Sequence, residues 1–389
     1  MAFGLPACSI LGKLHDVKFV VQVRLFPTPA QEAALADTLR LCNEAANVVS
    51  RIAWEINTFR NYDLRRHTYS ALKEMGLSAQ PAQHVIKKVA DAYTTVRAQV
   101  KAKLREALMR PIGFRCDAAQ PFDDRCLSWQ IPARTVSLWT THGRTKGIRF
   151  GCSDEQARLL AAYRRGESDL VHRDGLWLLI ATCDAPDTDV TDPDAFIGVD
   201  LGIANIATTS DGVKHAGKAL NAVRHRNRQL RRKLQAKRTK SAKRLLKRRR
   251  RAEARFARDI NHRISKSIVT EAARTGRGIA LEDLSGIRER VRLRKPQRVT
   301  LHSWSFHQLG SFIAYKAARA GVALVRVDPA YTSQECSACG HVDKRNRPDQ
   351  ETFVCMSCGF AEHADVNAAR NIAMRGVAGW AAVMQPNAA

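Results

Sequence analysis

The chain has 389 residues, 45% of them hydrophobic, with 64 Lys and Arg against 37 Asp and Glu, a formal net charge of +27 and a pI near 10.2. That length admits about two to four structural units, and a charge so far beyond what solubility needs points to a polyanion as partner. A membrane surface is the rival partner, but no apolar run approaches the roughly 18 residues of a spanning helix and no signal-peptide pattern opens the chain, so a cytoplasmic protein with no membrane partner is expected.

Ten cysteines in a long chain without a secretion signal are expected to stay reduced. Cys8, Cys42, Cys116, Cys126, Cys152 and Cys183 lack ligand spacing and read as small buried hydrophobes.

Residues 1–16 carry no periodic pattern. VKFVVQVRLF, residues 17–26, is β-branched and aromatic enough for a strand. Thr28 then reads as a helix cap, Pro29 as a first-turn residue, and Gln31 and Glu32 suit the positive helix end. Leu35, Leu39, Cys42 and Ala46 continue at helical spacing, and the pattern stays helical to about Arg110 with one break at MGLSAQP. Trp54, Tyr62 and Tyr69 in this region read as core, as aromatics at helical spacing usually are, and receive no role. Over 111–184, short β-type runs separated by Gly, Asp and Pro predict a small barrel joined by the first strand, with the helical region inserted in it. The acidic DAPDTDVTDPD, residues 184–194, reads as a linker.

Next, AFIGVDLGIANIATTSDGVKHA predicts an antiparallel meander turning at Asp211 and Gly212. Residues 224–251 hold 16 Lys or Arg among 28 positions and no acid. Leu230 with Leu234, then Phe256, Ile260, Ile264 and Ile268 at intervals of four, predict helices with a narrow apolar stripe. GIALEDLSG reads as a strand ending at acids, SFHQLGSFIAYKAARAG as a helix stopped by Gly321, and VALVRVDP as a further strand, together a layered α/β domain.

Cys336, Cys339, Cys355 and Cys358 form two CxxC knuckles with 15 residues between them. Four thiolates suit a tetrahedral Zn2+ and leave no open position for water, so one structural zinc is expected there. Gly340 and Gly359, directly after each knuckle, permit the tight turn that aims amides at sulfur. Chemistry then moves to carboxylates. Asp200 follows the apolar FIGV, Glu282 follows IAL, and Asp365 precedes the helical NAARNI. Acids at buried strand ends carry a desolvation cost that a metal ion or an ion pair offsets, and two Mg2+ ions would satisfy three such acids if they met. A cap or surface ion pair is the commoner fate of a lone strand-end Asp, and Asp283 competes with Glu282 as the inward-facing acid.

FIGVDLGIANIATTSDG, IALEDLSG, SWSFHQLGSFIAYKAARAG, PAYTSQECSACGH and CMSCGFAEHADVNAARNI, in that order, resemble the TnpB family of transposon-encoded RNA-guided nucleases, relatives of the type V CRISPR effectors. RLFPTPAQ and LCNEAANVV resemble its N-terminal part. The resemblance implies a multidomain α/β fold: a wedge β-barrel over 17–28 and 111–190, and a helical recognition region over 29–110. It also implies an RNase H-like (RuvC) nuclease domain over 194–331 and 362–380 and a zinc ribbon over 332–361. By motif it assigns the catalytic acids to Asp200, Glu282 rather than Asp283, and Asp365, holding two Mg2+. At the third motif the family often has Asp-Arg-Asp where this chain has His363, Ala364 and Asp365.

It further implies a prokaryotic, RNA-guided DNA endonuclease cutting at a single RuvC-like site, with guide RNA and target double-stranded DNA as partners and one copy of the chain per ribonucleoprotein. The protein would be nucleoid-associated when bound to target. A nuclease-silent RNA-guided DNA-binding protein and a guide-free structure-specific nuclease are the alternatives. A charge run is usually a solvated face, but 16 cations without an acid repel one another strongly unless paired with phosphate. Arg224, Arg226, Arg228, Arg231, Arg232, Lys233, Lys237, Arg238, Lys240, Lys243, Arg244, Lys247 and Arg248 are therefore the candidate nucleic-acid contacts.

Overall fold

A computed structural model of the chain describes residues 17–185, 188, 190–284 and 306–384. It divides into two units, Lys18–Ala185 and a second that follows Ala185.

The first unit begins with β1 (Val17–Phe26), in which Val21, Val23 and Leu25 alternate inward while Gln22 and Arg24 face water. Thr28 caps α1 (Pro29–Glu55) in a reciprocal box with Gln31. α2 (Asn61–Glu74) and α3 (Ala79–Lys101) follow. Then come β2 (Gln120–Phe122), β3 (Leu127–Gln130), β4 (Thr135–Thr140), β5 (Gly143–Gly151), α4 (Asp154–Tyr163), β6 (Arg164–Arg173) and β7 (Leu176–Ala185). The sheet order β2-β6-β7-β1-β5-β4-β3 places the first strand at the centre of a near-closed barrel.

Two cores share this unit. Leu25, Phe122, Val136, Ile148, Leu170 and Trp177 fill the barrel, and Val49, Leu64, Leu72, Ile86 and Tyr93 join the three helices. Complete burial of a side chain such as Ile86 contributes about 1.5–3 kcal/mol. Leu35 and Leu39 near the start of α1 belong to the first core and Cys42 and Val49 further along to the second, so one helix ties both together.

The helical stretch breaks twice, once more than the sequence pattern suggests, and stops at Lys101 rather than near Arg110. After α1, Asn57 adopts φ 48° while Thr58 N–H reaches Ala53 O at 3.0 Å and Asn57 N–H reaches Trp54 O at 3.3 Å, a left-handed cap that ends the helix. The short α4, within the stretch read as strands, starts at a Ser153–Gln156 capping box. Among the scattered cysteines, Cys42, Cys126 and Cys183 are buried, Cys152 is half-buried and Cys116 is exposed, which corrects the reading of all as buried hydrophobes; Cys8 lies outside the described residues.

The second unit holds β8 (Phe196–Asp200), β9 (Asn205–Thr209), β10 (Lys214–Ala216), α5 (Lys218–Lys237), α6 (Lys240–Thr275) and β11 (Gly278–Glu282). After residues 285–305, which include Trp304 and lie outside the described part, come α7 (Phe306–Arg319) and β12 (Leu324–Val327). Next are a short hairpin of β13 (Thr352–Val354) and β14 (Ala361–His363), and α8 (Ala364–Met384). Its five-stranded sheet runs β10-β9-β8-β11-β12, antiparallel through the meander and parallel from β8 to β11 to β12. The turn at Gly212 (φ 84°) is pinned by Arg277, whose guanidinium grips both carboxylate oxygens of Asp211 at 2.8 and 2.7 Å.

The two faces of this sheet are packed differently. Ile197, Val199, Ile279 and Leu281 meet α6 and α7 through Ile264, Ile268, Leu309 and Ile313. Phe196 and Ala280 on the opposite face meet α8 through Ile372 and Trp380. No described helix is long and apolar enough to cross a membrane.

Candidate active site

Period-two alternation decides which acids converge. In FIGVD the residues facing α6 and α7 are Ile197 and Val199, so Phe196, Gly198 and Asp200 face α8. In GIALE, Ile279 and Leu281 point the first way, leaving Ala280 and Glu282 toward α8. The strands are parallel and in register through Leu281 opposite Val199, so Asp200 and Glu282 end adjacent strands on one face. Asp283 lies on the other parity, and its backbone N–H donates to Val327 O at 2.8 Å.

Asp365 comes from the first turn of the helix on that face. His363 Nδ1 accepts its backbone N–H at 3.2 Å, and Ala364 N–H donates to Glu351 O at 2.8 Å, so the helix start is tied on both sides. The helix lies almost in backbone contact with β8. A Cβ added at Gly198 would overlap the Ala369 carbonyl oxygen and stand 2.5 Å from the Ala373 amide nitrogen.

Burial pushes the Asp200 carboxyl up to about 8, and the nearby Glu282 and Asp365 carboxylates push the same way, against the opposing pull of Arg347 and a hydrogen bond from Leu201 N–H. Burial also raises Glu282, partly countered by the hydroxyl of Thr332 and by the charge of Arg375. Asp365 is held by Arg347 Nη2 at 3.3 Å and by Asn205 Nδ2 at 2.9 Å. Three carboxylates on one face, one of them held protonated by burial with help from its like-charged neighbours, suit a divalent cation chemically. Arg347, Asn205 and Thr332 were not singled out in the sequence: Arg347 sits in the polar stretch between the knuckles, and only the folded chain brings its guanidinium to Asp365.

The four cysteines form a zinc-ribbon-like cluster. Cys336 and Cys358 sulfurs stand 3.7 Å apart and Cys339 and Cys355 sulfurs 3.6 Å, close to the roughly 3.8 Å edge of a tetrahedron with Zn–S bonds of about 2.3 Å. Gly340 and Gly359 take φ 73° and 71°. N–H groups of Cys358 and Ser357 point at Cys355 Sγ and help bring that thiol down to about 6. The donor set suits one structural zinc.

Of the thirteen candidate phosphate contacts, Arg224 is half-buried with its charge near Glu253, and the rest are exposed along α5 and α6. The two helices are joined at Arg238, in a left-handed conformation, and Thr239, which caps α6. Asn227 Nδ2 to Glu253 Oε2 at 2.8 Å ties them side by side. In the first unit, Trp54 and Tyr69 pack half-buried against the helical core, but Tyr62 is 67% exposed with the Arg66 guanidinium 4.8 Å over its ring, a departure from the core reading. His84, Asp123 and Cys126 also come together, within 4.8 Å. Asp123, however, already accepts from Gln80, the Arg125 guanidinium and two backbone N–H groups, so the trio is a hydrogen-bonded turn beside a buried histidine.

Residues 180–285 match the family described as a probable transposase, OrfB_IS605, and residues 306–372 match the Cas12f1-like TNB domain. The chain is 44% identical over 122 residues to the CRISPR-associated endodeoxyribonuclease Cas12f1 of Sulfoacidibacillus thermotolerans, covering 31% of this chain and 28% of that protein. It is 31% identical over 222 residues to the putative RNA-guided DNA endonuclease InsQ of Escherichia coli strain K12, covering 52% of this chain and 54% of that one. The matched stretches thus span 28% and 54% of these relatives' lengths. In fold it resembles the protein in a cryo-EM structure of a Cas12f1-sgRNA-target DNA complex, with a TM-score of 0.58 at 14% identity over 92% of this chain and 98% of that chain. Both sequence matches fall on the segments that carry the three acids and the four cysteines: the first resembles the OrfB_IS605 family and the second a Cas12f1-like TNB domain.

Proposed function

We propose that the chain is an RNA-guided DNA endonuclease that hydrolyses phosphodiesters at the single acid cluster of Asp200, Glu282 and Asp365. The observation that carries this reading is the shared field of those three carboxylates at Asp200, built from two adjacent parallel strand ends and one helix start. Two Mg2+ ions held there would activate the attacking water and stabilise the leaving 3′ oxygen.

The chain's own groups then have separable tasks. Asp200, Glu282 and Asp365 supply hard oxygen ligands. Asn205 fixes one oxygen of Asp365. Arg347 offsets part of the negative charge of Asp200 and Asp365, and its guanidinium is of the type that pairs with phosphate. The exposed cations of α5 and α6 bind nucleic-acid phosphate, and guide RNA paired to target DNA supplies sequence choice, with a short motif beside the target read by protein.

The test is plasmid cleavage by the full chain purified with its co-expressed guide RNA. Cleavage that requires Mg2+ and a matched target, and is lost in Asp200→Ala with RNA binding intact, is expected. Cleavage unchanged in that variant would sink the assignment, and guide-dependent binding without cleavage by the wild type would favour the nuclease-silent alternative.

A further inference from the structure

Residues 328–337 lead from β12 to the first zinc-ligand knuckle, and α8 staples them along one side. Its Asn367, Asn371 and Arg375 recur at intervals of four, so they share a face. Asn367 Oδ1 accepts Ser337 N–H at 2.9 Å while its Nδ2 donates to Glu335 O at 2.8 Å. Asn371 Nδ2 donates to Thr332 O at 2.9 Å and to Glu335 O at 2.7 Å. Arg375 donates to Asp328 O at 2.9 Å and Ala330 O at 2.7 Å, and meets Glu335 Oε2 at 2.5 Å.

Both asparagines are buried, as is Thr332, which is 3% exposed. So many buried amide bonds to one short segment leave it little freedom. From the middle of that segment Thr332 Oγ1 reaches Glu282 Oε1 at 2.5 Å, with Pro329 O at 3.1 Å as its other neighbour. One helix therefore carries the third acid in its first turn and, from that turn onward along one face, the staples of the strap whose hydroxyl holds the second acid. Cys336, a sulfur of the four-cysteine cluster, ends the same strap.

We propose that Thr332 is a positioning residue for Glu282: it fixes the carboxylate in the orientation that lets it share a divalent cation with Asp200 and Asp365. The strap stapled by Asn367, Asn371 and Arg375 holds that hydroxyl in register with the sheet. This inference rests on the reading of the acid cluster as a divalent-cation site. Thr332 touches neither metal nor phosphate; it acts through Glu282, and a donor hydroxyl at that position is the property required.

Mn2+ is the probe, its binding to the zinc-loaded full chain followed by the loss of the free-ion electron paramagnetic resonance signal, with binding that survives in Asp200→Ala subtracted. Thr332→Val is isosteric but donates nothing, and should weaken Mn2+ binding about tenfold or more, the consequence of losing a hydrogen bond to a charged group. Zinc content and melting temperature should stay near wild type. Thr332→Ser keeps the hydroxyl and should restore affinity, which a purely packing role for the threonine would not allow. If valine disrupts the strap, the comparison of Thr332→Ala with Thr332→Ser gives the same reading. Equal Mn2+ affinity in the hydroxyl-bearing and hydroxyl-free variants overturns the inference. A wild type that binds Mn2+ at the cluster but cuts no guide-matched plasmid removes the nuclease proposal and leaves this one intact. A wild type that binds no more Mn2+ than Asp200→Ala removes both.

Discussion

In the barrel unit one enclosed charge is Lys88, whose ammonium donates to Asn43 Oδ1 at 2.6 Å and Gln120 Oε1 at 3.4 Å and lies 5.3 Å over the Phe114 ring. In the α/β unit it is a set of three carboxylates, of which Asp200 is pushed up to about 8. Burial moves the lysine down to a similar value, about 8, yet the two sites differ in kind. Asn43 is itself anchored through Nδ2 to the carbonyls of Leu39, Cys116 and Ala118, so Lys88 is held by fixed dipoles, with the opposite charge of Asp169 near enough to favour its ammonium. Asp200 feels the like charge of the other two acids, with Arg347 opposing it there and Arg375 at Glu282. A buried group with its partners in place belongs to the architecture, whereas one whose burial is compounded by like-charged neighbours is a candidate to take up an opposite charge.

The sharpest break of that comparison pairs Asp200→Asn with Lys88→Met. The first should lower Mg2+-dependent cleavage by about a thousandfold or more while raising the melting temperature of the metal-free protein at pH 8, because it removes repulsion and ligand together. The second should cost stability, about 1–3 kcal/mol, by stranding Asn43 Oδ1 without its donor, and leave Mg2+ binding unchanged. A metal-free Asp200→Asn protein that melts below wild type would erase the distinction.

Zinc removal comes next in size. Chelation should cut Mg2+-dependent cleavage about a hundredfold, since the ribbon and the strap that reaches Glu282 share Cys336, whereas fluorescence of the barrel tryptophans Trp129 and Trp177 should be unaltered. A barrel signal that moves with zinc would show the units are not independent in this respect.

The smallest effect is in pH and has opposite signs at the two sites. Between the ordinary Asp value of 3.8 and about 8, folded Asp200 keeps a proton that the unfolded chain releases, so stability of the metal-free protein should fall as pH rises through that range. Between about 8 and the ordinary Lys value of 10.5, folded Lys88 is neutral where the unfolded chain is charged, so stability should rise with pH. Urea midpoints against pH, with Asp200→Asn flattening the first limb and Lys88→Met the second, check both signs. Slopes of one sign throughout would defeat the account.

Much of this was legible in the chain because it depends on periods and spacings. The strand at Val17–Phe26, the Thr28 cap, the meander, the strand ending at Glu282, the helix stopped before Gly321 and the paired CxxC knuckles all rest on local rules, and the fold obeys them. The break at Asn57 hung on a non-glycine residue taking a left-handed conformation, and α4 on a capping box inside a run otherwise read as strands; both signals are short and outvoted by their surroundings. Of the site, parity separates Glu282 from Asp283 once the strand is known. Arg347, Asn205 and Thr332 carried no such signal: each reaches its acid across 18, 160 or 50 positions, and distances of that kind are products of topology.

Gly198 sets a dimension that no acid in the cluster sets for itself. With the helix carrying Asp365 seated against bare backbone, the spacing of the first and third acids is that of a strand and a helix separated by hydrogen atoms alone. Thermal motion of Asp365 relative to Asp200 is then governed by the stiffness of main chain against main chain, which is far greater than that of two side chains meeting across a gap. A transplant of the three acids onto another sheet would carry the carboxylates but lose the calibration, unless the strand also arrived with an unsubstituted carbon two residues before its terminal aspartate.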